Sequence, residues 1–150
     1  MLTGDLAKLG RISAGLDALA DVPRVAGPLV SERLAALVQL EFDAGTDPYG
    51  DPWEPLAPAT LAKGRHEPPL TDTRELRDSL LVYPRATGRG VRMSIGTKEH
   101  PAGPHQDGWS GPQGSGPARS IFPTGELPTA WAEAIDESVT DAVIAKLGER

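Results

Sequence analysis

The prolines of this 150-residue chain are concentrated in its middle. Thirteen of the fifteen lie between Pro48 and Pro128, two precede that stretch and none follows it. Because proline lacks an amide donor and restricts the residue before it, a stretch so rich in proline cannot form a long helix or a central strand. The sequence therefore predicts helices at both ends and a loop-rich middle.

The N-terminal stretch carries the clearest helical pattern. Its large apolar residues recur at steps of three or four: Leu2, Leu6, Leu9, Ile12, Leu16 and Leu19. This spacing predicts a helix over about 3–20 with one apolar face. Pro23 and Pro28 predict a break in the helical pattern. A second helix is expected from about 29 to 43, with Gly45 placed to end it.

A short helix and a β-hairpin are expected next. The helix covers about 72–81, with Thr71 or Asp72 as its cap. Residues 83–97 predict the hairpin, because apolar residues alternate with polar or small ones along its second half. The alternating apolar residues are Val91, Met93 and Ile95.

The last part of the chain combines a loop with a helix. Residues 99–125 contain six glycines and five prolines, so we expect a long, exposed assembly loop without regular structure. A final helix begins near Pro128, a residue suited to a first turn. Its large apolar residues recur every four positions: Trp131, Ile135, Val139, Val143 and Leu147.

Together these elements predict an α+β fold in a single domain of residues 1–150. Long N-terminal helices and a C-terminal helix pack on a small antiparallel β-hairpin, and long loops rich in glycine and proline connect them. The segment TDPYGDPW at 46–53 predicts a turn cluster around Tyr49 and Trp53. Trp53 is expected to act as a plug against the second helix.

Composition removes several classes of protein. The chain has no cysteine, which excludes disulfide frameworks, thiolate zinc sites and cysteine nucleophiles. Its net charge of −6 argues against a domain that mainly coats nucleic acid. No apolar run is long enough to cross a bilayer, and the N-terminus lacks the pattern of a signal peptide. We therefore expect a soluble protein of the cytoplasm that does not bind a membrane.

Charge changes sign along the chain. Residues 41–54 and the final helix are acidic, whereas 63–98 carries eight bases and four acids. One interpretation is ordinary solvated surface. The other is a molecule with one acidic and one basic face, which suits head-to-tail packing in a closed ring. The bases of the hairpin, repeated around a lumen, would then contact genomic DNA without sequence specificity. These bases are Arg85, Arg89 and Arg92.

Residues with catalytic chemistry are sparse. A small metal-dependent hydrolase could use His100, His105 and Asp107. Prolines and glycines separate these residues, so the expected arrangement is a different one: His105 and Gln106 anchor the loop by hydrogen bonds to backbone groups. The sequence has neither a serine elbow between strand and helix nor a phosphate-binding loop. We expect no catalytic site, no metal and no cofactor.

One order of residues along the chain is distinctive. It runs through Phe42, Asp47-Pro48-Tyr49-Gly50 with Trp53-Glu54-Pro55-Leu56, Thr60, Leu70-Thr71-Asp72-Thr73 with Leu76 and Ser79, Ser94-Ile95-Gly96-Thr97, Ala102, His105-Gln106 with Gly108, and Pro117-Ala118-Arg119 before Phe122. Over residues 42–125 this order resembles the phage virion morphogenesis family, the tail-completion and neck proteins of tailed phages, including Mu-like and P2-like members. Arg74 stands where many members have glycine.

The resemblance implies a structural, non-enzymatic virion protein at the head–tail junction. Such a protein acts as a homo-oligomeric ring in the neck and contacts neighbouring neck, portal-side or tail proteins. It is found in the virion and, during assembly, in the host cytoplasm. Another neck component, such as an adaptor, a stopper or a tail terminator, is the main alternative. A cytosolic adaptor unrelated to phages is a further one.

Assembly is expected to bury the exposed middle of the chain. The 99–125 loop and the TDPYGDPW turn would dock on a neighbour, because ordering so long a loop needs a partner to cover it. Trp109 is expected in the interface, since a tryptophan in such a loop buries little surface by itself. Arg119 is expected in a buried ion pair between subunits, with an acid of the final helix. The expected interface residues are Tyr49, Trp53, His105, Gln106, Trp109, Arg119 and Phe122.

Overall fold

The computed structural model of the protein describes residues 6–71, 74–87, 90–98 and 102–148. In chain order its elements are α1 (Leu6–Ala20), α2 (Val22–Ala44), α3 (Pro58–Leu61), α4 (Glu75–Asp78), β1 (Leu81–Thr87), β2 (Gly90–Gly96), α5 (Ala102–Asp107), β3 (Trp109–Gly111), β4 (Gly114–Gly116) and α6 (Thr129–Gly148). The predicted α+β fold is confirmed, with long helices and two antiparallel sheets of two strands each. Within the described ranges, no helix combines the length and the apolar character that a membrane span requires.

The break between the first two helices lies at Asp21, which corrects the break predicted at Pro23 and Pro28. Helix α2 begins at the next residue and continues through Pro28 for its whole length. Pro23 lies in the first turn, where its missing amide hydrogen needs no acceptor within the helix. Pro28 removes one hydrogen bond, and buried residues on both sides of it keep the helix continuous. Gly45 ends α2 in the left-handed conformation, at φ 68°, so the predicted stop is confirmed.

The core lies where α2 packs against α6 and against the β1–β2 hairpin. On α2, the residues 30, 34, 38 and 42 recur at steps of four and are all buried, so the apolar face predicted for the second helix points inward. The segments that flank the hairpin and α6 complete the cluster. Its buried members are Val30, Leu34, Val38, Phe42, Trp53, Leu76, Ile121, Trp131 and Ala134.

Helix α6 buries only part of the apolar stripe that its sequence predicts: Trp131 is buried, and Ile135 and Val143 are half-buried against the core clusters. Its buried residues are Trp131, Ala134, Ser138 and Ala142. By contrast, Val139 is 41% exposed and Leu147 is 44% exposed. A step of four residues turns an α-helix by about 400°, so residues at that spacing drift away from a fixed face by roughly 40° per step. The small side chains of the buried stripe allow α2 and α6 to pack closely.

The predicted β-hairpin is confirmed. Strands β1 and β2 pair antiparallel, with Val82 opposite Ile95 and Arg85 opposite Arg92. The inner face packs on α2, where the Ser31 hydroxyl donates to the carbonyl oxygen of Val82 at 2.8 Å. Gly27 allows this close approach, because a Cβ atom there would lie 3.0 Å from the ring of Pro84. The hairpin is therefore fixed on α2 with its other face open to solvent.

Two predicted segments differ from the structure. The short helix expected at about 72–81 is reduced to α4, and its proposed cap Asp72 lies outside the described residues. The expectation of a loop without regular structure at 99–125 is wrong, because this stretch contains α5 and the β3–β4 hairpin. Ile121 in the same stretch is fully buried. Glycines and prolines are compatible with such short elements, which need few backbone bonds of their own.

Candidate assembly site

The residues 46–56, here called the turn segment, follow Gly45 and fold around one carboxylate. Asp47 accepts hydrogen bonds at Oδ1 from the amides of Tyr49 and Asp51, at 2.9 and 3.0 Å. The Trp53 amide donates to the carbonyl oxygen of Gly45 at 2.8 Å. A short acidic side chain at the start of a tight turn satisfies amides that have no partner in a sheet or helix. The turn segment is therefore held by local bonds.

Trp53 fixes the turn segment to the core, as predicted for a plug against the second helix. Its indole is only 5% exposed. The ring meets Phe42 of α2 edge to face, with centroids 5.3 Å apart and planes at 79°. The indole nitrogen donates to the carbonyl oxygen of Ser120 at 2.9 Å. One side chain thus joins the turn segment, α2 and the stretch before α6.

Arg119 makes a second connection between the same two stretches. Its Nε donates to the carbonyl oxygen of Glu54 at 2.7 Å, and its guanidinium donates again to Pro55 at 3.1 Å. The residue is 8% exposed. Carbonyls in a proline-rich turn lack ladder partners, and a guanidinium can satisfy two at once. The ion pair expected between subunits stays a prediction.

Gln106 anchors residues 121–122 through all the hydrogen-bonding atoms of its carboxamide. Its Oε1 accepts from the amides of Ile121 and Phe122 at 2.8 and 2.9 Å. Its Nε2 donates to the carbonyl oxygen of Phe122 at 3.0 Å. The His105 carbonyl accepts from the Arg119 amide at 2.6 Å. The structure therefore supports the expectation that His105 and Gln106 anchor this stretch through backbone groups.

His105 also differs in its titration from an ordinary histidine. Burial, followed by the positive charge of Arg119, lowers the pKa of its imidazole below the usual value. The ring is consequently neutral at pH 7. The other histidine of the proposed metal site, His100, lies outside the described residues. In the part of the chain that the structure describes, no three potential metal ligands among histidine, cysteine, aspartate and glutamate come together.

Two aromatic side chains remain half exposed on this assembly of segments. Tyr49 is 43% exposed, although its hydroxyl donates to the carbonyl oxygen of Glu126 at 2.8 Å and accepts from the Gly125 amide at 2.9 Å. Trp109 is 46% exposed. Its indole lies over Gly116, where any side chain would collide with the ring. Both rings are thus positioned by their own chain and still open on one side.

Glu41 is a buried residue that the sequence analysis did not identify. It is 9% exposed, and its Oε1 accepts from the indole nitrogen of Trp131 at 2.9 Å. Its other oxygen is buried without a partner. Burial raises the pKa of Glu41 to about 7; the bond from Trp131 opposes this, and the charge of Asp47 adds to it. The available signal was its spacing, since position 41 follows Leu34 and Val38 on the apolar face of α2.

Two of the three arginines expected to face DNA, Arg85 and Arg92, lie on the outer face of the β1–β2 hairpin. Arg85 and Arg92 are directly opposite in the strand register, and both are exposed. Arg89 lies outside the described residues. Like charges directly opposite each other on a sheet repel. The two arginines therefore concentrate positive charge at one place on the outer face of the hairpin.

Comparison with known proteins agrees with this arrangement of segments. The chain matches the model of the phage virion morphogenesis family over residues 7–135. The matched range includes the turn segment, both hairpins and the anchoring residues His105, Gln106 and Arg119. No curated protein and no solved structure matches the chain. The family points to a structural role in virion assembly, and its model covers most of the sequence. The chain belongs to the phage virion morphogenesis family.

Proposed function

We propose that this protein is a structural component of the phage neck that completes the tail and joins it to the head, acting as a closed ring. The observation that carries the proposal is the pair of half-exposed rings, Tyr49 and Trp109, on segments fixed to the core. Aromatic residues that are positioned but uncovered are typical anchors of protein interfaces. Membership of the phage virion morphogenesis family supports virion assembly as the process in which these rings would be covered.

A closed ring of identical subunits needs two different contact surfaces on each subunit. The described part of α6 carries Glu133, Asp136, Glu137 and Asp141 against the single base Lys146. The outer face of the β1–β2 hairpin carries Arg85 and Arg92. Unlike surfaces of identical subunits can meet head to tail and close a ring by rotation, with the acidic face of α6 at the joints and the basic face of the hairpin left open toward the lumen.

The protein acts in this proposal without catalysis. The side chains with the most unusual environments are already engaged within the chain: Gln106 binds residues 121–122, Glu41 binds Trp131, and Arg119 binds the turn segment. Groups held in this way stabilise a fixed surface. Partners on either side of the ring would be portal-side and tail proteins, and the lumen would pass the genome.

Deletion of the gene in the phage or tail-like particle that encodes it tests the proposal. We expect particles in which filled heads and tails of normal length accumulate separately under negative-stain electron microscopy. Purified protein added to the mixture should restore joined particles. Overlong tails would instead indicate a tail terminator, and emptied heads would indicate an adaptor or stopper. Normal joined, infective particles without the protein would contradict a role in the neck.

A further inference from the structure

Over residues 10–20, helix α1 presents its large apolar side chains to solvent. Ile12, Leu16 and Leu19 are 52, 64 and 38% exposed. The small residues Gly15 and Ala18 are the half-buried ones on the described part of α1, residues 10–20. Residues 12, 16 and 19 lie on one face of a helix. Large apolar side chains supply most of the free energy of packing, so a helix that packs only on its own chain would be oriented the other way.

A groove whose length matches that of the apolar stripe on α1 runs between α2 and α6. Its lining includes the apolar residues Ala36, Leu37, Leu40, Ala130 and Ala134 beside three charged ones, and its volume is about 320 Å³. Leu40 is 61% exposed. Three of these five residues are alanines, which leaves room between the two helices for larger side chains from another molecule.

We propose that α1 of one copy of this chain docks in the α2–α6 groove of the next copy. The stripe from Ile12 to Leu19 is about 10 Å long at 1.5 Å per residue. The groove extends from Arg33 to Leu40 on α2, the same number of residues. This inference rests on the ring of the proposed function and names the contact that would build it.

Charge supports a second copy as the occupant. Glu133 and Glu137 line the groove on its α6 side, and Arg33, which lines it on its α2 side, is paired with Asp141 at 2.6 Å. Arg11 and Asp17, which adjoin Ile12 and Leu16 in the chain, are both exposed on α1. Both surfaces carry both signs of charge beside apolar residues, and they are complementary when Arg11 lies near the glutamates and Asp17 lies near Arg33. The two surfaces are different, so the contact is head to tail and repeats from subunit to subunit.

The chain's own α1 does not occupy this groove. The carboxylate of Asp21, where α1 meets α2, pairs with Lys146 at 3.0 Å. Lys146 lies in the last turn of α6, whereas the groove lies along the first half of that helix. The half-buried residues of α1 face the chain on that side. The groove and the apolar stripe are therefore both open in one molecule.

Single-cysteine crosslinking tests the contact directly, because the chain contains no cysteine. Leu16→Cys and Leu40→Cys are purified separately, one of them with a mass tag, mixed and oxidised. We expect a mixed disulfide in about tenfold excess over the control mixture of Ala14→Cys with Leu40→Cys. Ala14 is exposed and points away from the stripe. Mixing separate proteins ensures that every mixed crosslink joins two molecules.

A second set of variants measures assembly by sedimentation velocity. Leu16→Glu should weaken self-association by about tenfold or more, whereas Ala14→Glu should not. Leu16→Lys should weaken it less than Leu16→Glu, because the groove is acidic at its edge. Circular dichroism checks that each variant retains its helices, which is expected since both sites are exposed.

The outcomes separate this inference from the proposed function. If the wild-type protein assembles and Leu16→Glu assembles equally well, or Leu16→Cys crosslinks no better than the control, the docking of α1 is overturned and the ring stands. A symmetric crosslink between two Leu16→Cys chains that exceeds the mixed one also overturns it. If the wild-type protein stays monomeric at every concentration and in the presence of tails, the ring itself falls.

Discussion

At the scale of single residues, Glu41 has a carboxyl group that the fold keeps away from water. Its pKa of about 7 lies above the ordinary value of 4.5. The folded chain therefore holds the proton more tightly than the unfolded chain does. The stability that results is fully present below about pH 4.5 and is lost as the pH rises through about 7.

Replacing Glu41 by glutamine should remove this loss. We expect Glu41→Gln to match the wild-type free energy of unfolding near pH 4.5 and to exceed it by roughly 2–3 kcal/mol above pH 8. The amide keeps an oxygen for the indole of Trp131. Urea unfolding at several pH values measures the difference. The opposite pH effect of His105 is present in both proteins and cancels. A difference that does not change with pH would contradict the assignment.

The backbone conformation of Arg74 also lowers the stability of the folded protein. It has φ 59° and ψ 0°, in the left-handed region that glycine adopts without strain. The family resemblance implies glycine at this position in many members, and this conformation would be a physical reason for it. The guanidinium is thus carried by a backbone that only glycine would favour.

Arg74→Gly should raise the free energy of unfolding by about 1 kcal/mol, because it relieves the strain. Arg74→Ala is the matched control, since it removes the same charge and keeps a Cβ atom. Thermal unfolding of the two variants at one pH compares them. An equal gain in both would show that the charge, and not the backbone, is responsible.

At the scale of elements, α2 shows how tertiary packing overrides a local helix breaker. Pro28 is exposed and lies inside the helix, whereas Pro23 lies in its first turn. A proline inside a helix costs a backbone bond and a clash with the preceding turn, and a proline in the first turn costs neither. The two prolines therefore differ in their effect on stability although both lie in α2.

Pro28→Ala should stabilise the protein by about 1–2 kcal/mol, and Pro23→Ala should change stability little. Urea unfolding of both variants tests the difference. If Pro28→Ala is destabilising, the bend that proline introduces is needed for α2 to follow the hairpin and α6, and the interpretation of Pro28 as a tolerated breaker is wrong.

The elements that the sequence predicts are those with a local pattern. The first two long helices, the stop at Gly45 and the β1–β2 hairpin follow from periodicity and turn residues. The elements in 102–116 do not, because β3 and β4 have only three residues each and α5 is fixed by bonds to a later stretch, such as those of the Gln106 side chain with residues 121–122. Periodicity found only part of the buried face of α6, because the partner surface also selects the small residues Ser138 and Ala142.

The candidate site was predicted unevenly for the same reason. Trp53 and Gln106 could be assigned because a tryptophan among prolines and a polar pair among glycines stand out in composition. Glu41 could not, because a carboxylate on a helix is usually solvated. Its burial becomes visible only when Trp131, ninety residues later in the chain, is placed beside it.

At the scale of the whole molecule, charge is the property that an assembly would multiply. One chain carries a net charge of −6, which opposes binding to DNA. The exposed pair Arg85 and Arg92 is local, but the proposed ring would repeat it once per subunit around a common axis. The attraction to phosphates would then scale with the number of subunits, while the acidic surfaces would be engaged at the joints.

The double variant Arg85→Glu with Arg92→Glu should therefore weaken binding of the assembled protein to duplex DNA by about tenfold or more at low salt and flatten its salt dependence. Lys63→Glu, at an exposed position away from the hairpin, is the control of similar charge change per site. Fluorescence anisotropy with labelled DNA at two salt concentrations measures both. Unchanged binding in the double variant would remove the hairpin from the DNA path.

The three tryptophans differ in a way that makes the protein its own optical reporter. The indoles of Trp53 and Trp131 are enclosed, at 5% and 3% exposure, whereas that of Trp109 is 46% exposed. The fluorescence of Trp53 and Trp131 is shielded from solvent. A blue shift of the tryptophan emission, or a loss of quenching by a soluble quencher, would therefore come from Trp109. Any assembly step that covers the β3–β4 hairpin could therefore be followed in real time without attaching a dye.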